Sequence, residues 1–78
     1  MAIILGIDPG SRVTGYGVIR SHGSRLEFLD CGVVRAEMKS HAERLKKIFD
    51  GITQVVEKHN PTEVAIEEVF VGRNVSSA

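Results

Sequence analysis

Residues 2–7 read AIILGI, an unbroken apolar run that meets a single carboxylate, Asp8, and stops. A run without polar alternation suits a strand buried on both faces in the middle of a sheet. The next four residues, DPGS (8–11), carry turn chemistry, with Pro9 and Gly10 placed for a tight reversal. VTGYGVIR (13–20) predicts a second strand, SHGS (21–24) a hairpin turn and RLEFLDCGVVR (25–35) a third strand. Together these three predict an antiparallel meander.

The periodicity then changes. Ser40 and Glu43 have the S-x-x-E spacing of a capping box, which satisfies two amide donors left free at a helix start. Leu45, Ile48, Phe49, Ile52, Val55 and Val56 follow at steps of three and four and make one apolar stripe. Gly51 interrupts the helix at a cost of about 1 kcal/mol relative to alanine, and nothing local explains it. HNP (59–61) ends the helix, because a residue before proline is pushed out of helical geometry. EVAIEEVF (63–70) predicts a fourth strand, and strand–helix–strand in one sheet implies a right-handed crossover. VGRNVSSA (71–78) leaves that strand as a loop.

These elements make an α/β chain with too little cover. A central strand as apolar as residues 2–7 needs packing on both faces, and one amphipathic helix covers one. The expectation is a truncated domain, residues 1–78 forming its N-terminal part, with a further helix beyond Ala78 or a second chain on the bare face. Seventy-eight residues allow one domain at most, burying roughly 60% of its unfolded surface.

Charge narrows the function little. Ten Lys and Arg balance ten Asp and Glu, so neither a nucleic acid nor a membrane surface is indicated by net charge, and any such binding must come from a site. The single cysteine, Cys31, has no internal disulfide partner and suits a reducing cytoplasm, as a small buried residue of a strand. His22, His41 and His59 are expected at the surface. The N-terminus lacks the basic start of a signal peptide, and its apolar run is too short for a membrane span.

The chemistry lies in the acids. Asp8 ends the first strand, and Glu67 and Glu68 fall late in the fourth. If those strands are parallel neighbours, their axes lie about 4.8 Å apart, and carboxylates at their C-terminal ends can share a divalent cation at the edge where open α/β sheets bind ligands. Two such ions roughly 3.5–4 Å apart activate water and stabilise the leaving oxygen of a phosphodiester. A bound cation would also offset the cost of burying Asp8 unpaired. The plainer alternatives are a turn-starting Asp8 and a solvent-facing glutamate pair, and spacing does not choose between Glu67 and Glu68. Gly15 and Gly17 strip one face of the second strand, which permits close approach of a ligand backbone or marks a bulge. Phe70 fills a core or stacks on a base; Arg12 and Arg73 flank the two acidic motifs and either meet phosphates or stay solvated.

IILGIDPGSRVTGYGVI, and AIEEVF followed by Asn74, closely resemble the N-terminal half of the RuvC family of bacterial Holliday junction resolvases. The resemblance implies an RNase H-like mixed sheet of order 3-2-1-4, with the family's fifth strand and later helices missing from this chain. It implies a homodimer that makes paired nicks in four-way junction DNA using Mg²⁺ or Mn²⁺, two ions per site, alongside a branch-migration helicase complex. By the same resemblance Asp8 and Glu67 are catalytic metal ligands, and Phe70 acts at the junction centre. The family's other two acids have no counterpart here, which puts catalysis by this chain alone in doubt.

Two rivals remain. Actin-like and sugar-kinase-like ATPase modules also open with an Asp-x-Gly-Ser/Thr turn that grips phosphates, and DPGS followed by TGYGV fits that pattern. The acid in AIEEVF, at the matching end of the neighbouring strand, favours the nuclease. The other rival is a structural fragment without catalysis.

Overall fold

A computed structural model describes residues 1–67. The elements run β1 (Ala2–Asp8), β2 (Val13–His22), β3 (Arg25–Arg35), α1 (His41–His59) and β4 (Glu63–Ile66). They form one four-stranded sheet of order β3-β2-β1-β4, in which β1 pairs antiparallel with β2 and parallel with β4. This is the predicted mixed RNase H-like sheet. The predicted continuation of the fourth strand to Phe70 and the loop at 71–78 lie outside the described residues. Among the described residues no helix is long and apolar enough to cross a membrane.

The β2–β3 hairpin closes on two residues, Gly23 and Ser24, with Gly23 at a φ of 64°. A left-handed residue at the first central position matches the right-handed twist of the flanking strands. One extra residue, Leu29, enters β3 where the register jumps between Val18 and Ile19. The irregularity therefore falls on β3, and the glycines of β2 sit in regular pairing opposite Asp8, Gly6, Val33 and Cys31.

Ser40 caps α1, its Oγ accepting the Glu43 amide at 3.3 Å, which is one of the two bonds of the predicted capping box; the Glu43 carboxylate does not return a bond to the Ser40 amide. At the other end Asn60 takes a left-handed conformation and its amide donates to the Val56 carbonyl at 2.8 Å. The helix lies on the face of the sheet that carries Leu5 and Val18, both fully buried, with Val55 pressed against them. Ile3, Ile7, Tyr16, Leu29 and Ile52 pack around that centre. The opposite face has no covering element among the described residues, as the shortage of helices predicts.

Cover is incomplete on the helix side too. Leu45 and Phe49 are 55% and 69% exposed, and Val64 and Ile66 of the edge strand β4 are 55% and 67% exposed. Half of the predicted stripe thus lacks a partner within residues 1–67. Cys31 departs from the expectation of burial. It lies on the uncovered face of β3 and is exposed, because alternation along β3 points it away from α1.

The structure accounts for Gly51. A Cβ there would sit 2.7 and 2.8 Å from the two γ-carbons of Val34, a β-branched side chain buried on β3. Glycine lets the helix approach the sheet closely, and Val34 has little rotamer freedom to yield. His59 also departs from the expected surface position. Its Nε2 lies 2.8 Å from Asp30 Oδ2, with His59 15% and Asp30 28% exposed, so the pair ties the end of α1 to β3. That hydrogen bond, helped by the Cys31 amide and the nearby Lys58 ammonium, holds the Asp30 carboxyl below its ordinary value of 3.8 against an opposing desolvation effect.

Two expectations follow for the complete protein. Helix propensity alone would make Gly51→Ala stabilising by about 1 kcal/mol, but overpacking costs about 1–3 kcal/mol. Chemical denaturation should show a net loss of roughly 1 kcal/mol, and the same glycine substitution made in a Val34→Ala background should no longer destabilise. A stabilised single variant would contradict the close approach. For Asp30 the depressed folded pKa means its contribution is complete above the unfolded value and is lost as pH falls through the folded value. Asp30→Asn should therefore lower the melting temperature at about pH 6, and the gap to wild type should close toward about pH 2. A gap that stays constant across that range would remove the carboxylate's role.

Candidate active site

The two acids are placed by backbone pairing. In β1 and β4 the partners are Ile4 with Glu63, Leu5 with Val64, Gly6 with Ala65 and Ile7 with Ile66. One step further the Glu67 amide donates to the Ile7 carbonyl at 2.9 Å, so Glu67 follows directly beside Asp8. Neighbouring parallel strands lie about 4.8 Å apart, which sets two carboxylates at one rim of the sheet. At the start of β4, Thr62 fixes the same register. Its amide donates to the Ile3 carbonyl at 2.8 Å, and its Oγ1 accepts the Ile3 amide at 3.1 Å.

Both acids line a single hollow of about 590 Å³ on the face away from α1. Its floor is nearly free of side chains: Gly6 pairs with Gly17, Asp8 with Gly15, and Ala65 lies alongside. The paired glycines predicted to admit a ligand backbone are therefore beside the acid they follow in sequence. The expectation of a buried Asp8 is not met. Asp8 and Glu67 are both exposed, so neither needs a cation to offset burial. The case for a cation rests instead on two oxygen donors brought together with no competing cation, since none of the ion pairs among the described residues uses either acid.

The turn after Asp8 is held by a residue that the sequence reading passed over. Thr14 is 1% exposed; its Oγ1 accepts the Gly10 amide at 3.3 Å and donates to the Gly10 carbonyl at 3.2 Å. A Cβ at Gly10 would collide with the Val13 carbonyl, so only glycine fits this turn. The Ala36 amide donates to the Arg12 carbonyl at 2.7 Å, tying the turn to the end of β3. Nothing in the local pattern marks Thr14 and Thr62, because threonine is ordinary in strands and their partners become near neighbours only on folding.

Arg12 is exposed in that turn, on the same rim as the acids. Glu68, Phe70, Arg73 and Asn74 lie outside the described residues. Among the described residues no group of three or more His, Cys, Asp or Glu side chains gathers as a metal site. The donors fit a hard divalent cation in kind, being oxygens at an open rim, and supply part of its usual six or more ligands.

The family model of the crossover junction endodeoxyribonuclease RuvC matches residues 4–78. The chain belongs to that family. Over all 78 residues it is 53% identical to the RuvC of Acinetobacter baumannii and 55% identical to that of Histophilus somni, covering 43% and 41% of their lengths. The chain therefore spans less than half of these relatives. Among solved structures, Thermus thermophilus RuvC in complex with a Holliday junction substrate superposes with a TM-score of 0.81 at 29% identity, over 97% of this chain and 47% of that one. The Aquifex aeolicus PPX-GPPA enzyme superposes at a TM-score of 0.68 with 9% identity, which shows a shared fold and nothing more. The fold thus extends beyond junction nucleases, and sequence family is what separates the readings.

Gly15→Val tests the open floor. The new side chain suits a strand and its Cβ would stand 4.0 Å from Asp8 Cβ, an ordinary contact. Under a junction-nuclease function for the complete protein, the melting temperature should stay within a few degrees of wild type while cleavage falls by at least about 10-fold, as a blocked approach of about 1.4 kcal/mol or more requires. Full cleavage by a folded variant would show that the floor takes no ligand.

Proposed function

We propose that this chain is the N-terminal part of a single RNase H-like nuclease domain, and that the complete protein is a metal-dependent Holliday junction resolvase. The observation that carries this reading is the pairing of Asp8 and Glu67 at one rim of two parallel neighbours, above a glycine floor. Family membership supports it.

In this proposal Asp8 and Glu67 are catalytic metal ligands for Mg²⁺ or Mn²⁺, two ions per site in the complete protein. Such ions would supply an activated water and charge neutralisation at the leaving oxygen. The chain's own contribution is placement. The β1–β4 ladder fixes the two carboxylates from their backbones, and the Thr14–Gly10 clamp holds the turn beside them. The side-chain-free floor lets a sugar–phosphate backbone come close to the acids. The family's two further acids have no counterpart among the 78 residues, so these residues alone are expected to be inactive.

The partners proposed on family grounds are four-way junction DNA, a second copy of the protein and a branch-migration helicase complex, in the cytoplasm. Phe70 would act at the junction centre, and Arg12 and Arg73 would meet phosphates.

The test is cleavage of a synthetic four-way junction by the complete protein with and without Mg²⁺. Asp8→Asn should keep junction affinity and lose cleavage by more than about 100-fold, since even partners that only orient a metal ligand cost 10–100-fold. Loss of affinity together with cleavage would make Asp8 structural. Thermal stabilisation by ATP without any nicking would favour the phosphate-gripping ATPase instead.

A further inference from the structure

We propose that Arg35 and Lys47 form a track for the DNA backbone on the rim that carries Asp8 and Glu67, taking phosphates of the strand as it leaves the acids across β3. This deepens the proposed function and rests on it.

β1, β3 and β4 all run toward the same rim, because β2 is antiparallel to both of its neighbours. Across that rim Asp8 pairs with Gly15 and Gly15 with Val33, and Arg35 closes β3 one pair further on, opposite Val13. Alternation places Arg35 with Val33 on the face that Asp8 and Gly15 share. From β1 to β3 is two strand spacings, on the order of 10 Å, a span of roughly three nucleotides at about 3.4 Å of rise each.

The cations are arranged to receive an anion. Lys47 Nζ donates to the Arg35 carbonyl at 2.9 Å, which anchors the ammonium at the end of β3 and leaves its other protons free. The Arg35 guanidinium is 66% exposed, and among the described residues its ion pair is a long one of 3.5 Å to the equally exposed Glu37. Such a pair is weak and easily exchanged for phosphate. Both cations line a second hollow, of about 400 Å³, between β3 and α1. The two hollows lie on opposite faces of the sheet and share only Tyr16 and Val33, so a strand leaving the acids would turn around the end of β3, where Arg35 and Lys47 stand, and keep clear of the Asp30 carboxylate deeper in the second hollow. An acidic peptide would also suit the cations, but its charges would meet Asp8 and Glu67 at the other end. A nucleic-acid strand brings to that end the phosphate that the acids are proposed to process.

The experiment measures affinity of the complete protein for a synthetic four-way junction, without divalent metal, across a series of NaCl concentrations. Each lost phosphate contact lowers the slope of log K against log [salt] by about 0.9. The Arg35→Gln/Lys47→Gln double variant should therefore lose about 1.8 from the slope, and Lys47→Arg should keep the wild-type slope. Lys46→Gln, whose ammonium is held 2.8 Å from Asp50, serves as the control and should leave it unchanged. Melting curves establish that each variant folds, and Arg35→Gln alone, lowering the slope by about 0.9, carries the test if loss of Lys47 unsettles the helix. A double variant with the wild-type slope overturns the track while leaving junction binding by the wild type, and so the proposed function, standing. A wild-type protein that binds junction no better than duplex would overturn the function reading itself.

Discussion

The register between β1 and β4 is the constraint on which the rest depends. Four successive pairs, from Ile4–Glu63 to Ile7–Ile66, are closed at one end by Thr62 on Ile3 and at the other by the Glu67 amide on the Ile7 carbonyl. Side chains in a strand alternate, so a slip of one residue would turn Glu67 to the helix side and leave Asp8 without an acidic neighbour. Burial fixes β1, where Leu5 and Ile7 face the core, whereas Val64 and Ile66 of β4 are largely exposed, so the Thr62 and Glu67 hydrogen bonds to Ile3 and Ile7 are what hold β4 in place.

The sheet divides its labour by face. One face takes α1 and builds the small core of Leu5, Val18 and Val55, with Gly51 allowing the helix to settle on Val34. The other face is kept low around the acids by Gly6, Gly15 and Gly17. A floor of that kind gives up side-chain burial, which weakens a strand, and the weakness is tolerable because the same strands are held by ladders on both sides. The exposed half of the α1 stripe and the exposed Val64 and Ile66 show the same economy of cover that the sequence implies.

Much of the architecture was legible because its causes are local. Ser40 and Glu43 mark the helix start, Asn60 before Pro61 marks its end, and Gly23 marks the hairpin, each through the backbone geometry those residues favour. The apolar run into Asp8 and the glycines after it marked half of the candidate site. Thr14 was missed because its partner Gly10 becomes its partner only once the turn has formed. Cys31 and His59 were misplaced because a strand's inward face and a helix's buried end are not written in single residues.

By itself the sequence determined the elements, their order, the shortage of cover and the acid at the end of β1, since propensity, capping and periodicity act over a few neighbours. Only the tertiary structure decided that Glu67 sits beside Asp8, that Gly51 answers Val34, and that Arg35 and Lys47 share the rim with the acids. Each of these depends on residues 12 or more apart meeting in one register (or, for Gly51 and Val34, one packing distance), and that choice is made by the whole sheet at once.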